Sequence, residues 1–148
     1  MLLGGFENRT GDALFDGTLQ TALEAELTNS RFVSVVPRER VEDALRLMRR
    51  ATDTRLDRAL AREVCLRDGE IHALVTGRTE KLGNTYLLSA ELVDAIRDRV
   101  IASDTESAIG QDQVWPAVRK LSNWVRESLG EAMEHIKLSN QLDRKSVV

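Results

Sequence analysis

Residues 1–18, MLLGGFENRTGDALFDGT, decide how the rest of the chain reads. Leu2, Leu3 and Phe6 form a short apolar run without alternation, which predicts a strand over Leu2–Phe6 covered on both faces rather than one half in water. Asn8-Arg9-Thr10-Gly11-Asp12 has turn composition, and Asp12 or Thr10 can cap a helix opening at Ala13. Phe15, Leu19, Leu23 and Leu27 then recur every fourth residue, laying one apolar stripe along a helix of about four turns. A strand feeding a loop and a helix N-terminus is a common binding position in α/β domains, because free backbone N–H groups point out of the helix start. With Arg9 as counter-charge, Asn8, Arg9, Thr10, Gly11 and Asp12 are the candidate anion- or ligand-binding residues. Gly4-Gly5 is not followed by Gly-Lys-Ser/Thr, so the stretch is no P-loop.

Downstream, Phe32-Val33-Ser34-Val35-Val36 is β-branched and aromatic and predicts a second buried strand, closed by Pro37. Val41, Ala44, Leu45 and Met48 change the period to that of a helix; Leu56, Ala59, Leu60 and Val64 mark a third helix that ends at Asp68-Gly69. Ile71 to Gly77 is a strand with an apolar middle, continuing in alternating polar form to Lys81. Gly83-Asn84 suits a two-residue hairpin turn before the return strand Tyr86–Val93. A second turn near Asp94–Asp98 leads to Arg99–Glu106, patterned as an edge strand. The last helix opens at Gly110-Gln111-Asp112, with Pro116 near its first turn, where a missing N–H costs little. Val114, Val118, Leu121, Val125, Leu129, Ala132 and Ile136 keep helical spacing, and Trp124 flanks them. The order β-α-β-α-α-β-β-β-α predicts a single α/β domain, residues 1–137, built on one mixed five-stranded sheet. Residues 138–148 lose periodicity and read as a tail or linker.

At 148 residues the chain can bury a self-sufficient core. Its 21 basic residues are spread among 24 acidic ones for a net charge of -3, a poor footprint for nucleic acid. Arg46, Arg49, Arg50 and Arg55 cluster near a helix end, where cations complement the macrodipole. The single cysteine, Cys65, excludes an intramolecular disulfide and a multi-cysteine metal site. No apolar run approaches the roughly 20 residues of a membrane helix, so this chain is not expected to insert directly into a bilayer.

Catalytic constellations are missing. His72 and His135 are the only imidazoles, and no His-x-x-x-His, Cys-His or Ser-His spacing supports zinc or a nucleophilic triad. Glu7, Asp12 and Asp16 invite an acid/base reading, but a cap, a first-turn acid and a solvated carboxylate account for them. The expectation is a protein without catalytic residues, metal or cofactor. Trp115, near the start of the last helix, is the candidate interface residue, and that long helix is a candidate surface for a homodimer.

Several short motifs carry a family resemblance: Phe6-Glu7-Asn8-Arg9-Thr10-Gly11-Asp12 with Phe15-Asp16-Gly17, Leu74-Val75-Thr76-Gly77, Leu82-Gly83 before Tyr86, Leu92-Val93-Asp94-Ala95, and Glu127-Ser128-Leu129-Gly130. From about Leu2 to Ile136 the chain resembles a domain found beside tetratricopeptide repeats in bacterial proteins. Many of these are serine/threonine protein kinases in which the region lies beyond a membrane helix. Its fold is similar to the N-terminal domain of the translocation protein TolB, an anticodon-binding-domain-like fold also found in envelope proteins of the flagellar and curli assembly type. The resemblance implies a non-catalytic sensing or protein-interaction domain, extracytoplasmic and part of a longer membrane-anchored protein, with a protein partner. One departure stands out: the family usually carries a glycine in the second hairpin turn, where this chain has Ile96-Arg97-Asp98.

Overall fold

The computed structural model describes the backbone of residues 1–31 and 33–146, and the side chains of these residues as far as Ala132. Strands β1 (Leu2–Arg9), β2 (Ala73–Leu82), β3 (Thr85–Asp94) and β4 (Arg99–Ile109) form one sheet in the order β1-β2-β3-β4. β1 runs parallel to β2, and β2, β3 and β4 form an antiparallel meander. A parallel pair needs a crossover. Here it contains three helices, α1 (Thr18–Thr28), α2 (Arg38–Leu47) and α3 (Arg58–Asp68), while α4 (Val114–Ser146) follows the sheet.

Strand alternation sends side chains to two helical layers. Leu3, Phe6, Val75, Leu88 and Leu92 meet Leu19, Leu23 and Leu27 of α1 and Val118, Leu121 and Val125 of α4. On the other face Leu2, Leu74 and Val93 meet Ala44 and Leu45 of α2 and Leu60, Ala61, Val64 and Cys65 of α3. The start of β1 is therefore apolar on both sides, as its sequence implies.

Among the described residues the expected five-stranded sheet has four strands. Phe32 lies outside the described residues, and Val33 to Val36 is extended without forming a ladder. Its backbone bonds to the residue that precedes β1: Val36 N–H donates to Met1 O at 2.9 Å, and Met1 N donates to Ser34 O at 2.9 Å. The chain is changing faces here, with Val33 in the α1/α4 layer and Val36 packed against the α2/α3 layer. The next part of the β1 edge is already occupied, because Gly5 N–H donates to Leu56 O at 2.7 Å and Arg55 Nη2 to Phe6 O at 2.8 Å. β-Branched residues suit a partly buried connection as well as a strand, so composition alone does not separate the two.

The first α-helix also starts later than expected. Asp12 Oδ1 accepts Leu14 N–H at 3.0 Å and caps a single 3-10 turn, Ala13–Phe15, and Gly17 at φ 73° turns the chain before Thr18. In the glycine-free second hairpin turn Asp98 takes a left-handed φ of 53°, tolerable for a short polar side chain. Asp94 Oδ1 braces that turn by accepting Ile96 N–H and Arg97 N–H at 3.0 and 3.1 Å. The backbone of α4 stays helical through residues 138–146 of the 138–148 stretch that reads as a tail or linker, and residues 147–148 lie outside the described ones. The side chains of His135 and Ile136 lie outside the described ones.

β1 and β2 meet with little room. The register slips between Leu3 and Phe6, and beyond the slip Phe6 pairs with Gly77. A Cβ on Gly77 would stand 2.2 Å from Phe6 Cε1 and 2.4 Å from Ser89 O. Gly77→Ala is expected to destabilise the domain by about 3 kcal/mol, since both the ring and the β3 backbone would have to move. Gly130→Ala on α4, whose Cβ would meet nothing within 4 Å, should instead gain up to about 1 kcal/mol from helix propensity. Urea unfolding midpoints for the two variants, at unchanged slope, check this contrast.

Candidate functional site

The loop after β1 is closed by its own side chains. Asn8 Nδ2 donates to Asp12 O at 2.8 Å and to Asp16 Oδ1 at 2.6 Å. Asn8 Oδ1 accepts Thr10 N–H at 3.0 Å and the Thr10 hydroxyl at 2.6 Å, while Thr10 Oγ1 accepts Asp12 N–H at 3.1 Å. Gly11, at φ 78°, allows the tight reversal. Asn8, Thr10, Gly11 and Asp12 are thus brought together, but Arg9 is not with them. As the last residue of β1 it points to the opposite face, where its Nε lies 2.9 Å from Glu7 Oε1. Glu7 lies apart as well, on the face of Arg9, whereas Asp12 and Asp16 both stay with the loop through Asn8.

Arg9 belongs to a larger feature. The α2/α3 layer covers only β1 and the adjoining ends of β2 and β3, so the rest of that sheet face is open. The register sets Glu7, Arg78, Ser89 and Thr105 in one row across all four strands, and Arg9, Glu80, Leu87 and Ser107 in the next. Glu7, Arg9, Arg78 and Glu80 make a checkerboard of charge, with Arg78 Nε 2.7 Å from Glu80 Oε1. Arg55 and Arg58, at the entry to α3, wall the open region into a groove of about 670 Å³ with Thr76, Ser89 and Glu91 among its lining residues. Asp57 Oδ1 accepts Leu60 N–H at 2.8 Å and so caps α3. Arg58 lies 3.8 Å from Glu91 and 3.4 Å from Asp98. The hydroxyls of Ser89 and Thr105 share a hydrogen bond of 3.0 Å.

The hairpin end of this face is apolar, with Leu82 71% and Ile109 75% exposed. Trp115, 55% exposed, follows two residues into α4. Glu7, Arg55, Arg58, Arg78 and Glu91 were not singled out together by sequence. The signal was the switch along β2 from Leu74 to Thr76, Arg78 and Glu80 on one face, which marks where helical cover stops.

Elsewhere, Cys65 is buried and its thiol is pushed up to about 11 by burial, which keeps it protonated and unreactive. Among the described residues no group of three or more His, Cys, Asp or Glu is placed to hold a metal ion, and no helix is long and apolar enough to cross a membrane.

Neither a family model nor a curated protein matches this sequence. Solved structures do share its fold. The LpoB C-terminal domain from Salmonella enterica matches with a TM-score of 0.64 at 18% identity, over 72% of this chain and 79% of that one. Lipoprotein GNA1162 from Neisseria meningitidis matches with a TM-score of 0.57 at 18% identity, over 86% of this chain and 96% of that one. TolB from Acinetobacter baumannii matches with a TM-score of 0.50 at 11% identity, over 89% of this chain but only 28% of TolB. The fold is thus the TolB-like α+β fold that the sequence motifs imply, on a four-stranded sheet.

On the helix-covered side of β4, Asp104 and Glu106 stand two residues apart toward α4. Burial and the neighbouring Asp104 carboxylate hold Glu106 above its ordinary range, with Lys120 pulling the other way. A carboxylate raised on folding binds more protons in the native state, so its penalty is present above the raised value and absent below the unfolded one. Glu106→Gln is therefore expected to raise the melting temperature at pH 7.5 and to leave it unchanged near pH 3.5, which paired thermal melts at the two pH values would check.

Proposed function

We propose that this chain is a non-catalytic protein-interaction module of the bacterial envelope, extracytoplasmic and part of a longer membrane-anchored protein. The kinase and tetratricopeptide-repeat setting suggested by its motifs belongs to the same proposal. The observation that carries it is the uncovered half of the sheet. A reaction site needs a nucleophile or acid within reach of a base. Here Glu7 pairs with Arg9, Arg78 with Glu80 and Arg58 with Glu91, Arg55 donates to Phe6 O, the hydroxyls of Ser89 and Thr105 bond to each other, and apolar Leu82 and Ile109 are exposed at the hairpin end of the same sheet face. Fixed alternating charge beside exposed apolar side chains suits a protein surface of complementary pattern, where charge sets register and the apolar rim supplies area. The envelope assignment draws support from the fold shared with LpoB, GNA1162 and TolB.

A photo-crosslinking residue in place of Ser89, expressed in the source bacterium, is expected to capture a discrete protein adduct. The same probe in place of Glu39 on α2 should not. Arg58→Glu with Arg78→Glu should remove the Ser89 adduct without lowering the melting temperature by more than a few degrees. Equal labelling from Ser89 and Glu39 would overturn the reading. Arg9, half-exposed beside Glu7, supports a second reading in which the face holds an anion. Added phosphate should then raise the melting temperature of the wild type but not of Arg9→Ala, and no rise in either would remove that reading.

A further inference from the structure

We infer that the free edge of β4 pairs with β4 of a second copy of this chain, antiparallel about a two-fold axis through Thr105. Residues 101–109 read Ile-Ala-Ser-Asp-Thr-Glu-Ser-Ala-Ile, the same in both directions with Asp104 and Glu106 as equivalent carboxylates. An antiparallel copy in register sets Ile101 against the partner's Ile109, Ala102 against the partner's Ala108, Ser103 against the partner's Ser107 and Thr105 against the partner's Thr105. A two-fold interface sets residue i against j and j against i, and here each facing pair is alike in size and polarity.

The backbone is placed for this pairing. β4 is an 11-residue strand that, among the described residues, pairs only with β3. Its ladder with β3 is regular from Ala102 to Ile109, and the irregularity next to Val100 falls outside the central residues. Gly110 N–H reaches Asn84 O at 2.8 Å. Alternation from that bond points the N–H and C=O groups of Ser103, Thr105, Ser107 and Ile109 away from β3. Thr105 on the axis then exchanges both backbone hydrogen bonds with the partner's Thr105. Ile101 and Ile109, 42% and 75% exposed, gain apolar cover from each other across the axis.

The α4 side sets the condition for association. Asp104 there opposes the partner's Glu106. The flanking β3 residues are the uncharged Leu88 and Ala90, and Lys120 of α4 is the cation acting on the pair. Asp104 Oδ2 is buried without a hydrogen-bond partner within the chain. A protonated carboxyl on the partner's Glu106 supplies the missing donor, whereas two carboxylates repel. Association therefore strengthens as pH falls.

Sedimentation equilibrium from micromolar to millimolar chain is expected to show a monomer–dimer equilibrium that is at least tenfold tighter at pH 5 than at pH 7.5. Thr105→Pro removes an outward N–H, a change an edge strand accommodates, and should weaken the dimer about tenfold or more while the monomer keeps its circular dichroism. Thr105→Cys should form a disulfide-linked dimer under mild oxidation, because the facing Cα atoms of a hydrogen-bonded pair stand about 5.5 Å apart. Ser103→Cys, which faces the partner's Ser107, should not. The cysteine pair keeps the register testable even if Thr105→Pro fails to fold. A monomer at millimolar concentration at both pH values, equal crosslinking of the two cysteine variants, or a dimer that survives Thr105→Pro but is lost with Trp115→Ala would each overturn the inference. The readout needs no ligand, so it is independent of whatever occupies the groove.

Discussion

Phe6 and Gly77 compete for one volume, and the fold is arranged so that only the ring fills it. With no side chain at Gly77, β2 lets the phenyl group lie across it, and the ring then closes the α1/α4 layer against the sheet. The register slip at Gly4-Gly5 that sets Phe6 opposite Gly77 also brings Gly5 within hydrogen-bonding distance of Leu56, on the way into α3. One local fit therefore couples both helical layers to the same strand. Close packing makes such a fit costly to disturb, because interiors leave little void into which a displaced group can relax.

The helical layers differ in extent, and the open groove arises from that difference. α1 and α4 contribute a long apolar stripe that covers one face of the sheet from Leu3 to Ala108. α2 and α3, 10 and 11 residues long, reach only the β1 side of the other face. Where they stop, outward positions change from Leu74 and Val93 to Thr76, Arg78 and Glu91. The groove is the uncovered remainder of a sheet, and its walls are the residues that begin α3.

Much of the architecture was legible because its signals are local. Periods of two and of 3.6, the Gly83-Asn84 turn and the Asp68-Gly69 helix end placed three helices and the meander within a few residues. What failed was non-local. Val33 to Val36 has strand composition, but whether an extended segment finds a partner depends on what else occupies the β1 edge, and Arg55 and Leu56 are remote in sequence. The candidate loop was legible as a turn. That Arg9 faces away from Asn8 follows from β1 reaching Arg9 instead of ending at Phe6, and the charge rows of the open face follow only from strand register.

The blocked edge of β1 has a further consequence. Ser34, Val36, Arg55 and Leu56 bond to Met1, Gly5 and Phe6 along the first part of that edge, which among the described residues leaves β4 as the more open end of the sheet. The contacts that keep residues 33–36 out of the sheet thus also shield the start of β1 from the strand of another molecule.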